Sequence, residues 1–284
     1  MILKIFHNIA SIRQEIKGLR SIGKTIGLVP TMGSLHQGHL DLVEWSATSS
    51  DITVVSIFIN PIQFNNSKDL ESYPRDIEKD LQILKNKKVD LVFAPSEKEV
   101  YPKPVDLQFC FGQMEQILEG KFRPGHFNGV AIVVSKLFHI LQPDRAYFGQ
   151  KDLQQVAIIK KLAQGLSFDL TIEVMPTVRQ SNGLAFSTRN QRLTDPGKTQ
   201  AAVLYKILVE ANLELMAGGN WLKTREELIT RYIQASQMTL EYLELVKVED
   251  FTIEENYRGE EAYALCIAAY VEEVRLIDNI LVGK

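Results

Sequence analysis

The stretch TIGLVPTMGSLHQGH, Thr25 to His39, decides how the rest of the chain is read. Thr25 to Pro30 is a short apolar run set between Gly23-Lys24 and a glycine-containing turn, the pattern of a buried strand. From His39 to Ala47 apolar and polar residues recur at helical spacing. Gly33 permits a tight turn, and Gly38 allows backbone to approach a ligand where the helix begins. A helix start attracts phosphate through its unpaired N–H groups and its dipole. His36 and His39 would add imidazole donors there. Taken alone, the same residues also describe an ordinary helix start with two capping or solvated histidines. Zinc is a weaker reading, because helical zinc sites favour histidines four apart and no third ligand stands nearby. The stretch is neither a G-x-G-x-x-G fingerprint nor a Walker loop.

On its amino-terminal side, Ile9, Ile12, Ile16 and Leu19 predict an amphipathic helix. On the other side, Ile52 to Ile59 (ITVVSIFI) is an almost unbroken β-branched run, the pattern of a parallel strand covered on both faces. Asp76 to Lys87 predicts a helix, and Val89 to Ala94 a third strand. A buried helix follows at Asn128 to Leu141, then the end of a fourth strand at Ala146 to Gly149. Leu153 to Leu166 predicts a helix and Leu170 to Met175 another strand. Strands alternating with helices imply a doubly wound parallel sheet, since parallel neighbours need crossover connections. After Pro176 the rhythm changes. Helical stretches at Gln200 to Met216 and Leu222 to Gln237 precede strand-like runs at Leu243 to Val248, Tyr263 to Tyr270 and Leu276 to Val282. The expectation is an α/β fold of Rossmann-like type over residues 1–176, with a smaller C-terminal α+β domain over 177–284.

In an open parallel sheet, ligands bind beyond the carboxyl ends of the strands, near the switch in strand order. Besides the His36–His39 turn, several clusters follow strands. Asn60-Pro61-Ile62-Gln63 ends the second strand, and its amides suit a neutral polar contact; a surface turn is the alternative. Arg123 to Gly129 (RPGHFNG) reads as a mobile loop ahead of the buried helix. Gly149-Gln150-Lys151-Asp152 begins another strand-to-helix junction. There Lys151 offers a point charge for phosphate, Asp152 an acceptor for a ribose hydroxyl and Gln155 an amide one turn on. Ser187, Thr188 and Arg189 place two hydroxyls and a guanidinium in sequence, suited to polyphosphate. Gly183 suggests a hinge that would let this segment close over a nucleotide and exclude water.

Composition narrows the class. With 45% hydrophobic and 24% charged residues, the chain is that of an ordinary globular protein. A net charge of −3 argues against bulk attraction to nucleic acid or an anionic membrane. The segment Met1 to His7 lacks the features of a signal peptide, and no run approaches the ~20 apolar residues of a membrane span. Cys110 and Cys266 each lie in an apolar stretch and are expected to be buried thiols rather than a disulfide. A cytoplasmic location is expected.

The turn at Met32 to His39 resembles the H-x-G-H signature (HIGH-type) of the adenylyl- and cytidylyltransferase superfamily. In order along the chain, PTMGSLHQGH, SIFINPIQF, YPRD, LVFAPSEKEVYP, RPGHFNGV, SKLF, PDRAYFGQKDLQQ, GLAFSTRN and RLIDN resemble the pantothenate synthetase (pantoate–β-alanine ligase) family over nearly the whole length. The resemblance implies attack of the pantoate carboxylate on Mg-ATP to give pantoyl adenylate and pyrophosphate, followed by attack of β-alanine to give pantothenate and AMP. It implies ATP contacts at Met32, Gly33, His36, His39, Gly149, Gln150, Lys151, Asp152, Val178, Phe186, Ser187, Thr188 and Arg189. It implies substrate contacts at Asn60, Gln63 and Gln155, and catalytic roles for His36, His39, Lys151 and Arg189. The family label for His39 is proton donor; physically it reads as a phosphate-stabilising donor, because a carboxylate nucleophile needs no deprotonation. Mg²⁺ is the expected cofactor, without an assigned protein ligand: Asp80 lies in the acidic region placed near the metal, but Lys79 replaces a common acidic neighbour. A homodimer is implied as well. Phe186-Ser187-Thr188-Arg189 stands for a common Leu-Ser-Ser-Arg, and Gln150 for a frequent Glu. Two other readings are a nucleotidyltransferase that stops after nucleotidyl transfer and a non-catalytic nucleotide-binding regulator. Gln63, Gln155 and the second domain argue against the first; His36, His39, Lys151 and Arg189 argue against the second.

Overall fold

The computed structural model describes residues 3–236 and 238–283. The chain divides into two compact units, Met1–Gly149 with Ile158–Met175, and Gln150–Ala157 with Pro176–Lys284. Within this division Gln150–Ala157 groups with the second unit.

The first unit is built on six strands: β1 (Lys4–Phe6), β2 (Ile26–Thr31), β3 (Ile52–Ile57), β4 (Leu91–Phe93), β5 (Arg145–Gly149) and β6 (Thr171–Met175). They pair in the order β1-β4-β3-β2-β5-β6, every pair parallel. All six residues of β3 are buried, as its β-branched run requires of a strand covered on both faces. The order reverses between β2 and β5, which makes that gap the switch point.

Pro30 explains how the gap opens. Thr31 O accepts from Phe58 N, so Thr31 turns its backbone toward β3 and Pro30 turns its own toward β5. Pairing with β5 has ended by then, at Leu28. A residue without an N–H therefore sits in a central strand at no cost to the ladder.

The helix His126–Leu141 is apolar on almost every side and almost wholly buried, as an all-round hydrophobic helix must be. It begins two residues before the predicted start at Asn128, so the expected loop at 123–129 is instead a tight link. Arg123 caps the preceding helix Leu118–Phe122, and Gly125 has φ 80°. Strand β1 was not foreseen. It is three residues long and mostly exposed at the sheet edge, too short for a period to show.

The second unit contains an antiparallel sheet of β7 (Thr239–Lys247), β8 (Ile253–Glu254), β9 (Tyr263–Val271) and β10 (Val274–Leu281), in the order β10-β9-β7-β8. Leu243, Leu265, Ile267 and Leu276 of this sheet share a core with Leu204, Ile207, Leu208 and Trp221. The predicted helix at 200–216 is two helices, Asp195–Ala201 and Val203–Met216. The one predicted at 222–237 is an α-helix over Trp221–Leu228 that continues as a π turn over Ile229–Gln234; Gln237 lies outside the described residues. Both cysteines are free, but only Cys266 is buried; Cys110 is exposed, contrary to expectation. Its neighbour Phe111 takes the buried position instead. Among the described residues no helix is long and apolar enough to cross a membrane.

Candidate active site

In the first unit, the chain leaves β2 through Met32, Gly33 and Ser34 into the helix Gln37–Ser49, whose N-cap is His36. Gly33 has φ 80° and Ser34 has φ 51°, so two consecutive residues are left-handed. What holds them there is Asp80. One carboxylate oxygen accepts from Ser34 N at 2.7 Å and the other from Leu35 N at 2.8 Å. A Cβ at position 33 would lie 2.9 Å from Asp80 Oδ2, so only glycine fits beneath the carboxylate. Asp80 is 2% exposed, and burial pushes its carboxyl above the usual range against the opposing pull of the Leu35 and Ser34 amides.

His36 and His39 stack with ring centroids 4.0 Å apart. His39 Nδ1 accepts from His36 N at 3.4 Å, a long bond that leaves Nε2 to carry the proton of the neutral ring. The ring is thereby set up as an Nε2–H donor. Met32 and Gly33 also line a cleft of about 390 Å³ with Phe58, Pro61, Arg75 and Asp80.

Beyond β3, Asn60 and Gln63 are 1% and 7% exposed. Asn60 Nδ2 donates to Gln63 Oε1 and to Gly129 O, both at 3.0 Å, and Tyr101 Oη donates to Asn60 Oδ1 at 2.7 Å. Burial, with Glu97 adding to it, raises the Tyr101 hydroxyl well above its ordinary value, so it stays a donor. This chain fixes the Gln63 amide: its oxygen is taken by Asn60, and its Nε2 donates to Met32 Sδ at 3.3 Å. Gly129 lets the helix His126–Leu141 lie against the turn, since a Cβ there would meet Ile62 O at 2.4 Å. His126 is buried; its Nδ1 donates to Gln63 O at 2.9 Å and its Nε2 lies 3.0 Å from Arg123 Nη1, which makes it a brace for the turn.

The remaining sequence-predicted residues, Gly149 apart, belong to the second unit. Gly149 ends β5, and Gln150–Asp152 form a 3-10 turn leading into the helix Leu153–Gly165, which carries Gln155. Val178 begins a small hairpin: Phe186 N donates to Val178 O at 3.0 Å and Gln180 N to Leu184 O at 2.8 Å. Gly183, with φ 91°, makes its turn against the Tyr205 ring, so the expected hinge is a hydrogen-bonded turn. Ser187 Oγ accepts from Arg189 N at 3.3 Å and opens the 3-10 turn Thr188–Arg192. Lys151, Ser187, Asn190 and Asp278 border one small cavity of about 10 Å³.

Within each unit the structure thus brings together His36 with His39, Met32 with Asn60 and Gln63, and Lys151 with Ser187. Among the described residues no three His, Cys, Asp or Glu side chains are grouped as a metal cage. Asp80 has both oxygens engaged by backbone amides.

A left-handed turn under two stacked imidazoles, an amide set as donor and a lysine beside a Ser-Thr-Arg segment suit nucleotide chemistry on a carboxylate. The family described as pantoate-beta-alanine ligase matches residues 4–281. The chain belongs to that family. A pantothenate synthetase from Cytophaga hutchinsonii is 41% identical over 276 residues, covering 97% of this chain and 98% of the relative. One from Aquifex aeolicus is 41% identical over 275 residues, with 97% of each covered. Of solved structures, pantothenate synthetase from Thermus thermophilus matches with TM-score 0.89 at 36% identity, over 98% of each chain. The pantoate-beta-alanine ligase from Francisella tularensis complexed with beta-gamma ATP and beta-alanine matches with TM-score 0.85 at 37% identity, over 99% of this chain and 98% of that one. For a pantoate–β-alanine ligase, sequence reasoning missed Tyr101 and the bracing role of Asp80. Their partners lie 41 and 46 residues away, beyond any local pattern.

Proposed function

We propose that the residues of both units serve the two half-reactions of an ATP-dependent ligase. The enzyme condenses (R)-pantoate with β-alanine to give pantothenate, AMP and pyrophosphate through pantoyl adenylate. The observation that carries the site assignment is the fixed Gln63 amide. Its oxygen is occupied, and its N–H faces a thioether, a weak acceptor that a carboxylate readily displaces. Gln63 therefore suits an acidic, hydroxylated substrate, and Gln155 supplies a second amide for pantoate.

A pantoate carboxylate oxygen attacks the α-phosphorus, and the bond to the bridging oxygen of pyrophosphate breaks. The attacking group is already an anion, so no base is needed. His39 donates through Nε2–H to phosphate oxygens, with His36 stacked on it, while Lys151 and Arg189 neutralise the polyphosphate. Met32, Gly33, Gly149, Gln150, Asp152, Val178, Phe186, Ser187 and Thr188 complete the ATP contacts. In the second step the β-alanine amine attacks the acyl carbon, AMP leaves with the bonding pair, and the amine gives up a proton. Mg²⁺ enters as part of the nucleotide substrate, held by phosphate oxygens and water, because Asp80 is committed to the turn. We assign residues 1–176 as the catalytic domain and 177–284 as the smaller one, in a homodimeric cytoplasmic enzyme whose oligomeric state light scattering can check.

The deciding assay is AMP formation from ATP with pantoate and β-alanine supplied singly and together. AMP release that requires both supports the ligase. Consumption of ATP indifferent to β-alanine would instead indicate a nucleotidyltransferase that stops at the first step.

A further inference from the structure

The motif RLIDN ends in two buried polar residues, Asp278 and Asn279, which are 5% and 3% exposed and take no part in the chemistry above. They lie on β10, at the edge of the antiparallel sheet. Asn279 Nδ2 donates to Gln150 O at 3.0 Å and to Lys151 O at 2.8 Å, and Gln150 Nε2 donates to Asn279 Oδ1 at 3.3 Å. One amide thus satisfies two successive carbonyls and the neighbouring side chain. Serine has one hydrogen to offer and aspartate none.

Asp278 holds the other segment. Its carboxylate takes Arg179 in a two-pronged pair, Nη1 to Oδ2 at 2.6 Å and Nη2 to Oδ1 at 2.9 Å. Arg179 also donates to Gly183 O and Asn279 O, both at 3.2 Å, and its guanidinium lies 3.8 Å over the Tyr205 ring. The fork is held on its edge and on its face, and with it the base of the hairpin that leads to Ser187–Arg189.

We propose that Asp278 and Asn279 are positioning residues for ATP, holding the Gln150–Lys151 backbone and the base of the 178–189 hairpin in one arrangement. Lys151 and Arg189 then meet the phosphates with little reorganisation, the condition under which a fixed charge is most effective. The inference rests on the assignment of Lys151 and Arg189 to ATP made above.

Kinetics on the full-length enzyme test it. Asn279→Asp keeps the shape, removes both N–H donors and sets a carboxylate against two carbonyls. Its KM for ATP is expected to rise about tenfold or more, the scale of a small misplacement of catalytic groups. KM for β-alanine should stay within about twofold, whereas a merely structural defect, which lowers the competent fraction, would reduce kcat and move neither KM. Arg179→Lys retains the cation and loses the fork; it should show a smaller rise in the same direction, and it decides the matter should Asn279→Asp fail to fold. Unchanged KM for ATP in the folded variants, with Lys151→Ala impaired in adenylate formation, overturns the positioning role and leaves the ATP assignment standing. Normal adenylate formation in Lys151→Ala overturns both.

Discussion

The two sets of candidate residues are anchored in opposite ways. In the first unit a buried carboxylate, Asp80, braces backbone amides, and the groups proposed to meet ligand are imidazoles and the Gln63 amide. In the second unit a buried carboxylate, Asp278, braces a guanidinium, and the groups proposed to meet ligand include two cations, Lys151 and Arg189, beside the Gln155 amide. Neutral amides whose orientation is fixed by a chain of partners discriminate by hydrogen-bond pattern, because a mismatched ligand leaves buried groups unpaired. Cations attract any polyphosphate and discriminate little.

The largest effect should come from breaking the cationic side. Lys151→Ala is expected to slow adenylate formation by roughly 10²–10³, the scale of losing one preorganised electrostatic donor. Pyrophosphate release in a single turnover measures it, and a loss of only severalfold would strip Lys151 of its assigned role. His39→Ala in the first unit should lie in the same range, and a loss below severalfold would likewise remove His39 from its assigned role.

Next comes Asp80→Ala. Leaving two buried amides without their acceptor should cost about 3 kcal/mol of stability. Urea unfolding reads this directly, and a shift under about 0.5 kcal/mol, ordinary for a surface change, would show that the turn holds itself.

Tyr101→Phe is a milder cut. It removes the donor to Asn60 Oδ1, and with it the restraint on Gln63 two links away. Pantoate KM should rise by about fivefold, equivalent to roughly 1 kcal/mol, while ATP KM changes little. Equal weakening of both would place Gln63 outside pantoate recognition. Gln155→Ala should show the same bias.

The smallest effect is a pH slope. The Asp80 carboxyl is raised above its ordinary value of 3.8. A raised folded value means that folding favours the protonated form. The stability it contributes is full below 3.8 and is lost as pH rises through the raised value. Asp80→Asn abolishes this titration, so wild type should lose stability relative to the variant as pH rises from 3.8 through the raised value. Parallel curves in denaturant titrations would contradict the burial effect.

Much of the fold was legible because covered parallel strands leave long apolar runs. The run at 52–59 contains β3, and the alternation of strand and helix implied the parallel sheet. What escaped was short or distant. β1 and β8 are three and two residues long. Cys110 sat in an apolar tripeptide, yet only its neighbour Phe111 turned inward. At the candidate site, the glycines and histidines of the 32–39 turn were visible as local chemistry. The groups that hold them were not, since Asp80, Tyr101 and Asn279 act across 41 to 129 positions, where no periodicity connects partners.

The tie between Lys151 O and Asn279 also orders events during synthesis. A growing chain contains Lys151 for 128 residues before Asn279 is added. At ~5–20 residues per second this interval is on the order of ten seconds. Throughout it the lysine loop lacks its brace, even though β2, β3 and β5 of the first sheet have already been made. On the positioning role proposed above, a premature stop between Lys151 and position 279 leaves Lys151 without this brace.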